Sequence, residues 1–266
     1  MTATTARARP PWSALALASL AVAFVVLPLA GVLWRAPWTN LGAELASPAV
    51  RTTLRLSLVC SLSAAALSVA LGLPLAWVLA RVAFPGRRLV RALTLLPMVF
   101  PPVVGGVALL LAFGRQGLVG RLLFEWFGLR LPYTTTGAVM AETFVALPFF
   151  VITAEAAFRS IDRRYEDAAR TLGGSRWTVL RRVTLPLARP GLAAGLALCW
   201  ARALGEFGAT ITFAGNTPGR TQTIPLQVYL LMDSGRLESA IVLSLVLLVV
   251  SVAVLVGLRD RWLLTG

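Results

Sequence analysis

The 266-residue chain contains no lysine and no histidine, two cysteines, and 11 acidic residues against 25 basic ones, all of them arginine. The missing lysine excludes a standard Walker A site, whose Lys grips the β- and γ-phosphates of a bound nucleotide. Any ATP-driven step therefore falls to another chain. The missing histidine excludes a His-dependent triad, an imidazole proton relay and His-containing metal sites. Cys60 and Cys199 both lie in apolar stretches, where a thiol packs as a small hydrophobe, and two cysteines make no disulfide framework. Charge as a whole is scarce at 14%, where an ordinary soluble domain carries about 25%. That scarcity excludes a water-soluble globular fold.

What is present is apolar surface: hydrophobic residues make up 58% of the chain, and the mean hydropathy is +0.79. About 20 consecutive apolar residues cross a bilayer. Charge-free runs occupy 13–34, 56–80, 92–113 and 239–258, while 134–154 contains only Glu142 and 190–213 only Arg202 and Glu206. Six helical spans follow, so the expected fold class is all-α, a polytopic membrane protein with short ends at 1–12 and 259–266. The first run, behind Arg7 and Arg9, has the outline of a signal peptide. It exceeds the usual h-region of about 7–15 residues and is read as a retained helix.

Arginine marks the sides of the membrane, because cytoplasmic loops are enriched in basic residues. The N-terminus, the segment holding Arg81, Arg87, Arg88 and Arg91, the segment 155–189 and the tail carry 16 of the 25 arginines. The three intervening segments carry eight, and Arg202 lies within a run. Both termini are therefore expected in the cytoplasm and 214–238 outside. The same partition accounts for the formal charge of +14 without nucleic acid, whose phosphates call for arginines gathered on one face.

The third run reads Leu96-Pro97-Met98-Val99-Phe100-Pro101-Pro102-Val103-Val104-Gly105-Gly106. Proline removes a backbone donor and clashes one turn back, and backbone left unpaired in lipid is costly, so such a break must face protein or water. Two readings stand. One is a packing kink; the other is a discontinuous helix beside a translocation path, with Pro101, Pro102 and Gly105 as path candidates. Pro74 and Pro148 suggest lesser kinks in the second and fourth runs. Arg202 and Glu206, four residues apart, share a helical face and can neutralise each other. They form either a structural ion pair or a group near the transported solute, since charge at membrane depth is expensive and usually functional. Gly191, Gly195, Gly205 and Gly208 allow another backbone to approach closely. Glu142 is read as a lone carboxylate near enough to a helix end to reach water.

Segment 155–189 carries eight arginines and four acids among apolar residues. Phe158, Ile161, Ala168, Ala169 and Leu172 approximate one apolar helical face. Gly173-Gly174 supplies a stop, and Ser175 is an N-cap for a second short helix ending near Pro186. An amphipathic helix lying on anionic lipid would use the arginines, but Asp162, Glu166 and Asp167 would be repelled by that surface.

Asp167-Ala168-Ala169, three residues, Gly173, nine residues, then Val183-Thr184-Leu185-Pro186 resembles the EAA loop of ABC importer permeases, Glu-Ala-Ala-x3-Gly-x9-Ile-x-Leu-Pro. Asp stands for Glu and Val for Ile. The resemblance covers about 51–258, including Phe84-Pro85-Gly86-Arg87. Within that family, Ala203-Leu204-Gly205-Glu206-Phe207-Gly208-Ala209-Thr210 looks like the fifth-span signature of oxyanion permeases. The stretch from Phe213 to Pro225, with Gly215-Asn216-Thr217-Pro218-Gly219-Arg220-Thr221-Gln222-Thr223 inside it, is most similar to molybdate permease subunits. Sulfate and thiosulfate permeases share the Gly-Glu-Phe-Gly core.

The resemblance implies a type I ABC importer permease fold and no bond chemistry in this chain. Asp167, Ala168, Ala169 and Gly173, with Val183, Leu185 and Pro186, would form a coupling loop seated on a cytoplasmic ABC ATPase subunit present in two copies. ATP and Mg would sit on that subunit, and no cofactor on this chain. A second permease copy would complete the path. An extracytoplasmic oxyanion-binding protein would meet the outer loop, for which Asn216, Pro218, Gly219 and Thr221 are contact candidates. The expected location is a bacterial inner membrane. A secondary transporter working without ATP, with Glu142 and Glu206 carrying protons, is the alternative from another class.

Overall fold

A computed structural model describes residues 12–262, and all the regular structure within them is helical. The expected end segments 1–12 and 259–266, with Arg7 and Arg9, lie largely outside the described residues. In chain order the helices are α1 (Trp12–Trp34), α2 (Leu41–Ala46), α3 (Pro48–Arg81), α4 (Arg87–Val99), α5 (Pro102–Phe113), α6 (Gly120–Phe127), α7 (Thr135–Ser160) and α8 (Arg163–Thr171). Then come α9 (Arg176–Val179), a π-turn (Leu180–Thr184), α10 (Leu185–Leu204), α11 (Gly208–Ala214), α12 (Ile224–Asp233) and α13 (Leu237–Trp262). Among the described residues five helices are long and apolar enough to cross a membrane, with α9, the π-turn and α10 taken as one, and counting α4 with α5 as one broken span makes six.

The core is the bundle of α3, α7 and α10, built on Ala64, Ala76, Leu79, Ala146, Phe150, Phe158, Ala188, Cys199 and Ala203. Lipid tails are as apolar as leucine, so helices associate in a membrane by close packing, which small residues permit. A Cβ on Gly191 would stand 2.5 Å from the Ala157 Cβ, and one on Gly72 2.9 Å from the Phe150 ring. The helix starts are capped: the Ser47 hydroxyl accepts from Val50 N–H at the head of α3, and Thr134 from Gly137 N–H at the head of α7. Among the described residues α1 buries none of its own.

The helices depart from the apolar runs in three ways, each with a local cause. First, the run 92–113 is two helices bent by 119°. Phe100 and Pro101 each precede a proline, which disfavours the α region, and both are extended, with ψ 137° and 130°. By contrast, α3 and α7 continue through Pro74 and Pro148.

Second, the short helix expected to end near Pro186 does not end. It passes through the π-turn, where Leu185 N–H donates to the Leu180 carbonyl, and continues to Leu204. Pro186 has no N–H for the Arg182 carbonyl, and the wider turn absorbs the misfit. Third, the run 190–213 stops at Leu204. Gly205 to Phe207 leave the helical path, and α11 is separate.

Candidate functional site

Two turns isolate α8. Asp162 caps its start, accepting from Arg164 N–H at 2.9 Å. Its end is closed by Gly173 N–H to the Arg170 carbonyl (2.9 Å) and Gly174 N–H to the Ala169 carbonyl (3.0 Å), with Gly173 at φ +83°. That left-handed geometry is the usual helix-ending role of glycine. Nothing lies within 4 Å of a Cβ built on Gly173, whereas one on Gly174 would meet the Ala169 carbonyl at 2.7 Å.

The apolar face expected over Phe158 to Leu172 is divided. Phe158 and Ile161 are buried, but Ala168 is exposed and Leu172 is 89% exposed, beside exposed Tyr165. Asp167 is exposed and pairs with Arg170 at 3.1 Å, while Ala169, Val183, Leu185 and Pro186 are half-buried. The α8 outer surface thus sets Tyr165, Ala168 and the following Leu172 among exposed Arg163, Arg164, Asp167 and Arg170.

The inner attachments of α8 are polar. Glu166 is its one buried residue, 3.0 Å from Arg81 Nη2 at the end of α3. The Thr184 hydroxyl donates to the same Glu166 oxygen at 2.9 Å, and Arg81 donates to the Ile161 carbonyl at 3.2 Å. A second cluster lies alongside. Arg91 of α4 and Arg159 both reach Glu155 of α7, each through Nε at 3.1 Å, and Arg87 donates to the Leu79 carbonyl. The sequence pattern did not single out Glu166, Arg81, Thr184 or Glu155. The signal present was a set of acids amid arginines, and which of them turned inward depended on distant partners.

Deeper in the bundle, Glu206 is 1% exposed and does two things. One oxygen pairs with Arg202 Nη1 at 2.7 Å, and the other accepts from Ala209 N–H at 2.8 Å, closing the start of α11. The neighbouring breaks pack together. A Cβ on Gly208 would lie 2.7 Å from the Pro102 Cβ, and one on Gly106 2.9 Å from the Ala209 carbonyl. Gly105 is buried against Phe144, and Pro101 is exposed at the bend. Four path candidates, Pro101, Pro102, Arg202 and Glu206, thus lie at the joined breaks of α4–α5 and α10–α11, with Gly105 behind them. Glu142 does not reach water: it is 1% exposed, and its Oε2 has no hydrogen-bond partner.

At the far end, Arg220, Thr221 and Gln222 all donate N–H to the Thr217 carbonyl, and the Thr221 hydroxyl accepts from Thr217 N–H at 2.8 Å. Thr221 is therefore buried and internally committed. Pro218 and Gly219 are exposed, and Asn216 is half-buried. The segment is tied down by Thr135 donating to the Arg220 carbonyl and by Ile224 N–H donating to Ser57. Thr135 opens α7 and Ser160 closes it beside α8. At 1.5 Å per residue, 26 residues extend roughly 39 Å, more than the hydrocarbon core of about 30 Å. The 216–221 turn and α8 thus stand at opposite ends of the bundle. Among the described residues, no group of acidic or cysteine side chains is placed to hold a metal.

A bundle of membrane-length helices with two broken spans and a short amphipathic helix slung between two others is the architecture of an ABC importer permease. Residues 68–264 match the model for binding-protein-dependent transport system inner membrane components, and the chain belongs to that family. It is 46% identical over 240 residues to the molybdenum transport system permease protein ModB of Mycobacterium tuberculosis, covering 90% of each chain. It is 42% identical to ModB of Escherichia coli, covering 78% of this chain and 90% of that one, and 33% identical to the sulfate transport system permease protein CysT of Escherichia coli, covering 90% and 85%. Among solved structures, a chain of a bacterial alginate ABC transporter superposes with a TM-score of 0.72 at 20% identity, covering 94% of this chain and 92% of that one. One of the MetNI methionine ABC transporter gives 0.58 at 18%, covering 79% and 94%. These last two likenesses concern the fold.

Proposed function

We propose that this chain is the membrane subunit of an ATP-driven importer that carries a tetrahedral oxyanion, molybdate foremost, into the cytoplasm. The observation that carries the reading is α8: a nine-residue helix closed by Gly173 at one end of the bundle, with Asp167 and Ala168 exposed and Ala169 half-buried beside them. With Arg163, Arg164, Asp167 and Arg170 exposed, α8 is too charged to lie in lipid, and its exposed Tyr165 and Leu172, apolar groups rimmed by polar ones, mark a surface for a protein partner. Its occupant in this reading is a cytoplasmic ABC ATPase subunit, two copies serving two copies of this chain. ATP and Mg belong to that subunit, consistent with the absence of lysine here.

The α8 end is cytoplasmic in this reading, as are both termini. The exposed Pro218-Gly219 turn, with Asn216 beside it, meets an extracytoplasmic oxyanion-binding protein. ATP binding draws the ATPase pair together, α8 carries the motion into α3, α7 and α10, and the joined breaks at Pro101-Pro102 and Gly205 to Gly208 open alternately to either side. The chain makes and breaks no bonds. Its work is to present different affinities in two states.

Molybdate is preferred over sulfate because the ModB relatives stand above CysT in identity, while tungstate shares molybdate's shape and charge. The test is labelled molybdate uptake into membranes holding this chain, its ATPase and the binding protein. Excess unlabelled molybdate should abolish uptake, and an equal excess of sulfate should leave most of it. Stronger competition by sulfate would transfer the assignment to the sulfate permeases.

A further inference from the structure

We propose that Glu166, Arg81 and Thr184 form a polar strut that makes α8 move as one body with α3 and α10, and so sets how tightly ATP hydrolysis is coupled to import. The proposal rests on the transport reading above and concerns positioning residues, none of which touches solute or nucleotide.

A nine-residue helix hung between two turns needs an internal anchor if it is to transmit a push rather than pivot. An apolar knob would be the ordinary solution. Here the large apolar side chains of the α8 region, Tyr165 and Leu172, point outward, and the only buried residue of α8 is a carboxylate. That carboxylate gathers three segments on one atom: Oε1 takes Arg81 Nη2 from the last turn of α3 and the Thr184 hydroxyl from the π-turn that leads into α10. Arg81 Nη2 adds a fourth, the Ile161 carbonyl that follows α7. Both side chains of the pair are less than 10% exposed.

Charge-assisted hydrogen bonds are shorter and more directional than apolar contacts, so they fix orientation as well as distance. Apolar packing would hold α8 against the bundle yet let it roll. The ion pairs of the neighbouring Arg91–Glu155–Arg159 cluster run between α4 and α7 and within α7, so they offer no substitute.

Two measurements test this. In proteoliposomes holding the full transporter, Glu166→Gln should still assemble with the ATPase and hydrolyse ATP. The ATP spent per oxyanion imported should rise severalfold. Thr184→Val, nearly isosteric, should raise it less, and the exchange Arg81→Glu with Glu166→Arg should recover part of the loss. An unchanged ratio in both Glu166→Gln and Thr184→Val would overturn the strut. So would a Glu166→Gln variant that assembles poorly but couples normally in what does assemble.

The second arm needs no substrate. A nitroxide on Leu172→Cys, in the isolated full chain where native Cys60 and Cys199 are buried, should report the backbone motion of α8 and become clearly more mobile with Glu166→Gln than in the parent. Equal mobility in the two overturns the strut even if the solute proves to be another anion. A parent complex that imports no oxyanion while the label still discriminates would instead count against the transport reading.

Discussion

Gly173 holds a backbone conformation that costs other L-residues about 1–2 kcal/mol, in open space where a side chain meets no clash. Gly173→Leu should therefore leave the chain folded and inserted while misdirecting the exit from α8. Co-purification of the ATPase subunit should fall severalfold, with little change in the melting temperature of the isolated chain. Full assembly with normal uptake would remove the docking role. Arg202 and Glu206 call for a different test. Glu206 is buried while the Arg202 side chain is 28% exposed; removing one partner of a fully buried pair costs about 3–5 kcal/mol and of this partly open pair less, while replacing both is milder. Glu206→Gln should thus melt well below the parent, and Arg202→Gln with Glu206→Gln should recover most of that loss. If the pair also serves the path, the double variant should still import slowly; full import would reduce the pair to packing.

At the scale of the helix, the break between α4 and α5 has a stereochemical cause in two successive residues that each precede a proline. Replacing Pro101 and Pro102 with alanine removes the restriction on both. This variant should shift the 119° bend toward a straighter helix, separate the backbone at position 102 from Gly208, and lose transport while the α3, α7 and α10 core stays intact. Cross-linking between cysteines placed at Val103 and Phe207, which flank that contact and leave Gly208 in place, would report the separation; undiminished cross-linking would contradict it.

The same helices explain what the sequence could and could not disclose. Apolar runs located the spans because lipid solvation reads hydropathy directly, and consecutive prolines marked the α4–α5 break. The ends of α3 and α7 escaped notice because helices continue into polar surroundings where hydropathy falls silent. Pro186 misled, since a proline favours a helix end without requiring one: α3 and α7 run through Pro74 and Pro148, and the chain passes Pro186 by a π-turn that nothing local to Leu180–Thr184 announces. Glu166 looked like one more acid in a basic loop, because its burial is decided by Arg81, on a different helix, and by Thr184.

For the whole molecule, the two ends of α7 carry different duties: a rigid, internally bonded turn over 216–221 at one, and a helix held by a polar strut at the other. Between them lie the two joined breaks. This is the layout expected of a protein that converts motion at one membrane face into access at the other, with the energy supplied from outside the chain. A secondary transporter would need no exposed α8. The most direct measurement is uptake of labelled molybdate into sealed liposomes holding this chain, with ATP supplied on the α8 side and loaded binding protein on the opposite side. With the ATPase subunit present, uptake should require hydrolysable ATP, and without it uptake should be absent even under an imposed proton or sodium gradient. Gradient-driven uptake by this chain alone would contradict the account.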